Sequence, residues 1–194
     1  MMTNFRYFAN AFFVTLALWL VGHRAVAQNV ESDLKTLKAW RAGAIVSTEA
    51  IKTYGEQRCF SQEAIPDVVF ARMEGRSFPK DCTVNRQSLR YLRLLHVDVD
   101  GRTRLGEMVC NQSIAADVID IFRELYRQRY PIHSIKLIDD FNADDEQSMR
   151  ANNTSSFCFR KVTGSKKLSA HAMGKAIDVN PLYNPYYHRS PSGK

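Results

Sequence analysis

The 194-residue chain contains no Cys-x-x-Cys pair, no internal repeat, no low-complexity segment and no arginine-rich block. Without a Cys-x-x-Cys pair, its four cysteines do not carry the spacing of a structural zinc site. Without clustered arginine, its basic excess lacks the pattern of a nucleic-acid binder, and no nucleic acid is expected as a partner. Tryptophan is scarce, with only Trp19 and Trp40, both far upstream. The apolar run Ala11 to Val21 is too short and too weakly flanked to cross a bilayer comfortably, and no cysteine follows it to take a lipid anchor. The acidic stretch Asp139, Asp140, Asn142, Asp144, Asp145 and Glu146 lacks the glycine and terminal glutamate of a calcium loop. It is expected as a solvated loop at the rim of a cleft.

What is present begins with an export signal. Arg6 precedes the apolar run, and Ala25-Val26-Ala27 supplies the small residues that a signal peptidase requires. Residues 1–27 therefore read as a secretory signal cleaved after Ala27, with an uncleaved N-terminal anchor as the alternative. The expected location is periplasmic or extracellular, with no stable membrane span after cleavage. The 27 basic and 20 acidic residues give +7; a leader holding Arg6 and Arg24 and no acid leaves 25 against 20, or +5. Such an excess favours approach to an anionic surface. Export also places Cys59, Cys82, Cys110 and Cys158 in an oxidising compartment, where an even number fits two disulfides. The sequence does not choose among the three connectivities; Cys59 with Cys82 and Cys110 with Cys158 is the favoured one.

After the signal, residues 28–60 read as a helical leader, with Leu34, Leu37 and Trp40 spaced along one helix face. A single domain is expected over 61–194. Ile65-Pro66-Asp67 opens a short helix that Gly75-Arg76-Ser77-Phe78-Pro79 ends. Leu89 to Cys110 reads as a hairpin around Asp100-Gly101. Asn111 or Ser113 then caps a helix whose stripe is Ile114, Val118, Ile121, Phe122 and Leu125. Ile132 to Ile138 is expected as a strand. His96 and His133 are read as packed or solvated histidines rather than ligands. This order of elements predicts an α+β domain with helices packed on a small, mainly antiparallel sheet.

The chemistry gathers in Ser169-Ala170-His171-Ala172-Met173-Gly174-Lys175-Ala176-Ile177-Asp178. If Ala176 to Asn180 is a strand, Ala176, Asp178 and Asn180 share one face and Ile177 and Val179 the other. A carboxylate held there, facing a histidine on the preceding turn past Gly174, suits a pair of zinc ligands. Arg150 and Arg160, flanking Asn153-Thr154-Ser155-Ser156, are candidates to hold a peptide carboxylate through a guanidinium fork.

The run Ser-x-His-x-x-Gly-x-Ala-x-Asp, matched at Ser169, His171, Gly174, Ala176 and Asp178, resembles the signature of the zinc-dependent D-alanyl-D-alanine carboxypeptidases and dipeptidases and the related L-alanyl-D-glutamate endolysins. The stretch from about Ala64 to Tyr186, including Asn152-Asn153-Thr154-Ser155 and Asp178-Val179-Asn180-Pro181, resembles the secreted branch of that family. The resemblance implies that His171 and Asp178 bind Zn2+, that Ser169 lies beside the substrate, and that the zinc is held on the sheet in an open groove. The implied substrate is a peptidoglycan stem peptide. In the family a third ligand, a histidine, and a catalytic glutamate follow near a tryptophan. Neither is found before Lys194, so the catalytic residue is unassigned and the domain is expected to be incomplete here. His188 is a further candidate nitrogen. A secreted metallopeptidase is one expectation, and a noncatalytic cell-wall peptide-binding protein that keeps the fold is the other. A purely structural His171–Asp178 hydrogen bond is a third.

Overall fold

The computed structural model describes residues 28–162 and 164–185. The export signal over 1–27 and the candidate nitrogen of His188 both lie outside the described residues.

Helix α1 occupies residues 28–39 and ends at Trp40, which adopts a left-handed φ of 47°. Leu37 is fully buried, and the Trp40 indole Nε1 donates to the Gly106 carbonyl at 3.0 Å. The chain then runs beside the hairpin: Gly43 N donates to Leu105 O, Leu105 N to Ala44 O and Val46 N to Thr103 O. Residues 28–60 thus contribute Leu37, Trp40, Val46, Ala50 and Ile51 to the same core as the rest of the chain. Helix α2, Thr48–Tyr54, is capped by Ser47, whose Oγ accepts from Ala50 N, and stops at Gly55.

Strand β1, Ser61–Glu63, precedes helix α3, Asp67–Met73, which starts after Pro66 as expected. Strands β2, Leu89–Val97, and β3, Thr103–Asn111, form the expected hairpin, and β1 pairs antiparallel with β2 to give the order β1-β2-β3. Both faces of this sheet are covered: neighbouring Leu94 and Leu95, which point to opposite sides, are each fully buried. Gly106 allows close approach of the chain beyond, since a Cβ there would lie 2.8 Å from Ile135 Cβ. The architecture is α+β with a small antiparallel sheet and packed helices.

Helix α4, Ala115–Arg127, buries Val118, Ile119 and Phe122. Ile121, expected in the stripe, is 55% exposed, and Ile119 takes its place facing the core. Neither expected cap acts as one: Ile114 is the residue at the N-cap, while Asn111 Oδ1 accepts from the Ser113 amide and hydroxyl in the turn before it. The strand expected over Ile132 to Ile138 shrinks to β4, Ser134–Ile135, paired in parallel with β5, Asn153–Thr154. The Asn153 side chain takes over where the ladder would continue: Oδ1 accepts from Lys136 N and Nδ2 donates to Lys136 O, both at 3.0 Å.

The acidic stretch is only partly solvated. Ile138–Phe141 forms a 3-10 turn in which Asp139 is buried and accepts from Ser77 N and Ser77 Oγ. Helix α5, Asp145–Arg150, follows, capped by Asp144.

The expected disulfides are not formed. Cys59, Cys82, Cys110 and Cys158 are all free, because the fold sends the sulfurs into separate local environments. Those of Cys59, Cys82 and Cys158 lie 3.8–4.0 Å from the carbonyls of Gly55, Val84 and Ala143. No described helix is long and apolar enough to cross a membrane.

Candidate metal centre

His171 opens a 3-10 turn, His171–Met173, that Ala172 anchors by complete burial. The turn is tied at both ends. Ser169 Oγ accepts from His171 N at 3.2 Å, the His171 carbonyl accepts from Cys158 N at 3.1 Å, and Gly174 closes the turn with a left-handed φ of 63°. The glycine is required twice over, by that φ and by the backbone of β3 and its flank, because a Cβ would stand 2.7 Å from Asn111 N and 3.1 Å from the Cys110 carbonyl carbon.

Asp178 is positioned by main chain. It exchanges two backbone hydrogen bonds with Ser155, Asp178 N to Ser155 O at 3.0 Å and Ser155 N to Asp178 O at 3.2 Å. This is a single bridge, not the strand expected over Ala176 to Asn180, because the neighbouring residues spend their polar groups elsewhere. Asn180 is buried and turns to another job: its N donates to Thr154 Oγ1, its Oδ1 accepts from His133 N, and its Nδ2 donates to Pro131 O. Ile177 and Val179 are half-buried against the core, but Asn180, expected to share a face with Asp178, is the most buried residue of the run from Ala176 to Asn180. Accordingly the His171–Asp178 pair stands on a turn and a bridge beside β5, not on the three-stranded sheet.

His171 Nε2 and Asp178 Oδ2 face each other at 3.2 Å. The other ring nitrogen, Nδ1, lies 2.8 Å from the Ser156 carbonyl. A carbonyl only accepts, so Nδ1 carries a proton there and Nε2 is the ring nitrogen left to meet the carboxylate. Two acceptors at that separation need a proton or a cation between them. Tetrahedral zinc, with ligand distances of about 2.0–2.2 Å, places adjacent donor atoms roughly 3.3 Å apart, so the pair fits two corners of such a site. The Ser156 carbonyl is the outer partner that orients a ligating histidine. It was not legible beforehand, since a backbone oxygen leaves no mark in a residue pattern. Among the described residues, no group of three His, Cys, Asp or Glu side chains gathers here.

Beside the pair lies a cleft of about 660 Å³ that Asp178 lines together with Met149, Arg150, Pro181 and Leu182. Arg150 is largely exposed, and its guanidinium meets Glu146, which also lines the cleft, at 3.1 Å. Arg160 is committed differently. Its guanidinium pairs with Asp145 at 2.7 Å, although its carbonyl accepts from Ser169 N and so helps frame the histidine turn. The structure therefore brings together His171, Asp178 and Ser169, puts Arg150 on the same cleft, and binds the Arg160 side chain to α5.

Residues 163–194 match the sequence profile of a family described as D-alanyl-D-alanine carboxypeptidase. That short stretch contains Ser169, His171 and Asp178, and gives the chain a coarse likeness to hydrolases of the peptidase kind. No curated protein and no solved structure matches the chain.

Proposed function

We propose that the chain is an exported zinc metallopeptidase, or part of one, that hydrolyses amide bonds in peptidoglycan stem peptides. The observation that carries this reading is the convergence of His171 Nε2 and Asp178 Oδ2 at 3.2 Å, with Nδ1 held on the Ser156 carbonyl. The likeness of residues 163–194 to the carboxypeptidase family supports it.

Zinc bound there would polarise the scissile carbonyl and lower the pKa of a water toward neutrality. The residues of the chain prepare that site. The Ser156 carbonyl fixes the tautomer that frees Nε2, the Ser155 bridge fixes Asp178 through its backbone, and Ser169 fixes the His171 amide. Met149, Pro181 and Leu182 give the cleft an apolar wall for a short peptide, and Arg150 gives it a cation for a terminal carboxylate. No third ligand gathers at the pair among the described residues, and His188 is one candidate for it.

A second reading rests on the same pair standing without a third ligand among the described residues. In it the protein binds wall peptides without cleaving them. Calorimetric titration of the full chain with zinc separates the two. One-to-one binding that weakens at least tenfold in both His171→Ala and Asp178→Asn supports the metalloprotein reading. A folded protein with no such binding removes it and leaves the peptide-binding reading.

A further inference from the structure

A separate cavity of about 270 Å³ opens beside the β2–β3 turn, between that turn and β4. His96 forms part of its wall. The residue is 1% exposed, and neither Nδ1 nor Nε2 has a hydrogen-bond partner. Buried polar groups in native proteins are almost always paired with protein or water, so an imidazole with both nitrogens unmet has hydrogen-bonding capacity to offer a group in the cavity.

The charges around it say what kind of group. Two arginines line the cavity and each is partly engaged: Arg102 Nε and Arg104 Nε donate to Asp98 Oδ2, Arg102 Nη2 to the Asp100 carboxylate and Arg104 Nη1 to the Gly43 carbonyl, which leaves further N–H groups free on both. Asp98 is engaged through both oxygens, since its Oδ1 accepts from the amides of Asp100 and Arg102. Lys136, half-buried, and His133, exposed, complete the lining on the β4 side, and no ion pair of Lys136 is formed among the described residues. The donors left over are the remaining guanidinium N–H groups, an ammonium and two imidazoles, while both carboxylates of the lining, Asp98 and Asp100, are already paired with arginine. A divalent cation would meet three cationic side chains, Arg102, Arg104 and Lys136, against two carboxylates that are already paired to guanidinium groups.

We infer that this cavity binds a small oxyanion, the carboxylate or phosphate group of a ligand, held by Lys136 Nζ and by an N–H of His96, with His133 at its mouth. A compact anion of that type uses the unspent donors and satisfies the buried ring. The site shares no residue with the His171–Asp178 cleft, so it stands or falls independently of the metallopeptidase reading.

The test uses the full chain labelled with 15N at histidine, titrated with inorganic phosphate and, separately, with acetate, at ionic strength held constant with chloride. Expected is a saturable one-to-one change at the His96 ring nitrogens at millimolar concentrations or below. Lys136→Met should weaken it at least tenfold in a protein of unchanged fold, and Asp178→Asn should leave it unaltered. A stronger response to phosphate assigns a phosphoryl group, and an equal or stronger response to acetate assigns a carboxylate. The inference is overturned if neither anion moves the His96 signals saturably, as when the cavity holds only water, or if Lys136→Met binds as tightly as the wild type.

Discussion

Asn111 N donates to the Gly174 carbonyl at 2.8 Å, and the same nitrogen would lie 2.7 Å from any Cβ placed on Gly174. One contact thus joins the end of β3 to the turn that presents His171, and it leaves no room for a side chain. Gly174→Ala is expected to destabilise the protein by about 2–3 kcal/mol, from a left-handed φ forced on alanine together with the backbone clash. Urea unfolding reads the loss. Zinc affinity should fall with it, because the turn that carries His171 must move; a variant as stable as the wild type would show that the turn yields freely.

The buried histidine of β2 predicts an acid-sensitive stability. Burial first, and then the charge of Arg104, lower the His96 pKa from 6.5 to about 4, with Asp98 opposing. The unfolded ring takes up a proton below about 6.5 while the folded ring resists until about 4. The unfolded state therefore binds more protons across that window, and stability falls as the pH drops through it. The expected loss is about 3 kcal/mol between pH 6.5 and 4, in chloride buffer without other anions. His96→Phe should flatten the slope in that window. Asp98, whose carboxyl its arginine and amide partners hold well below 3.8, adds its own loss only at lower pH.

The free thiols carry a simple chemical expectation. Burial raises the pKa of Cys59, Cys110 and Cys158 to about 12, so almost no thiolate is present at neutral pH. Cys82 is half-buried, and its thiol is raised less. Alkylation of the native chain should label Cys82 well ahead of the others, and all four should react once the protein is denatured without reductant. Recovery of only two reactive thiols after denaturation would restore a disulfide.

The hairpin and the order of elements were legible because turn chemistry and apolar runs are local: Asp100-Gly101 turns the chain, and Leu89 to Val97 has no reason to do anything but pair. The His171 and Asp178 juxtaposition was legible for a similar reason, since the turn past Gly174 closes it within a few residues. The failures share a cause. Whether Ile132 to Ile138 continues as a strand depends on the Asn153 side chain, distant in sequence, occupying the Lys136 backbone. Asp139 and Arg160 sit among exposed-type residues, yet their partners, Ser77 and Asp145, are fixed only by packing. The cysteines misled because an even number only permits pairing, while distance decides a bond.

Glu107 lies on β3 with its side chain 3% exposed and accepts from Arg72 Nη1 and Nη2 at 3.1 and 2.6 Å and from Tyr91 OH at 2.9 Å. Arg72, by contrast, reaches solvent and also meets Asp140 at 2.6 Å. The two partners should therefore differ in what their loss costs. Removing the cation in Arg72→Leu leaves a buried carboxylate facing only a hydroxyl, and about 3–5 kcal/mol of stability is expected to go. Glu107→Gln keeps the shape and leaves an arginine with Asp140 and water to turn to, so its cost should be clearly smaller. Tyr91→Phe removes one hydrogen bond to the carboxylate and should cost about 1–2 kcal/mol. Urea midpoints at constant slope give the ranking, and equal losses from Arg72→Leu and Glu107→Gln would mean that the carboxylate is hydrated in the native protein.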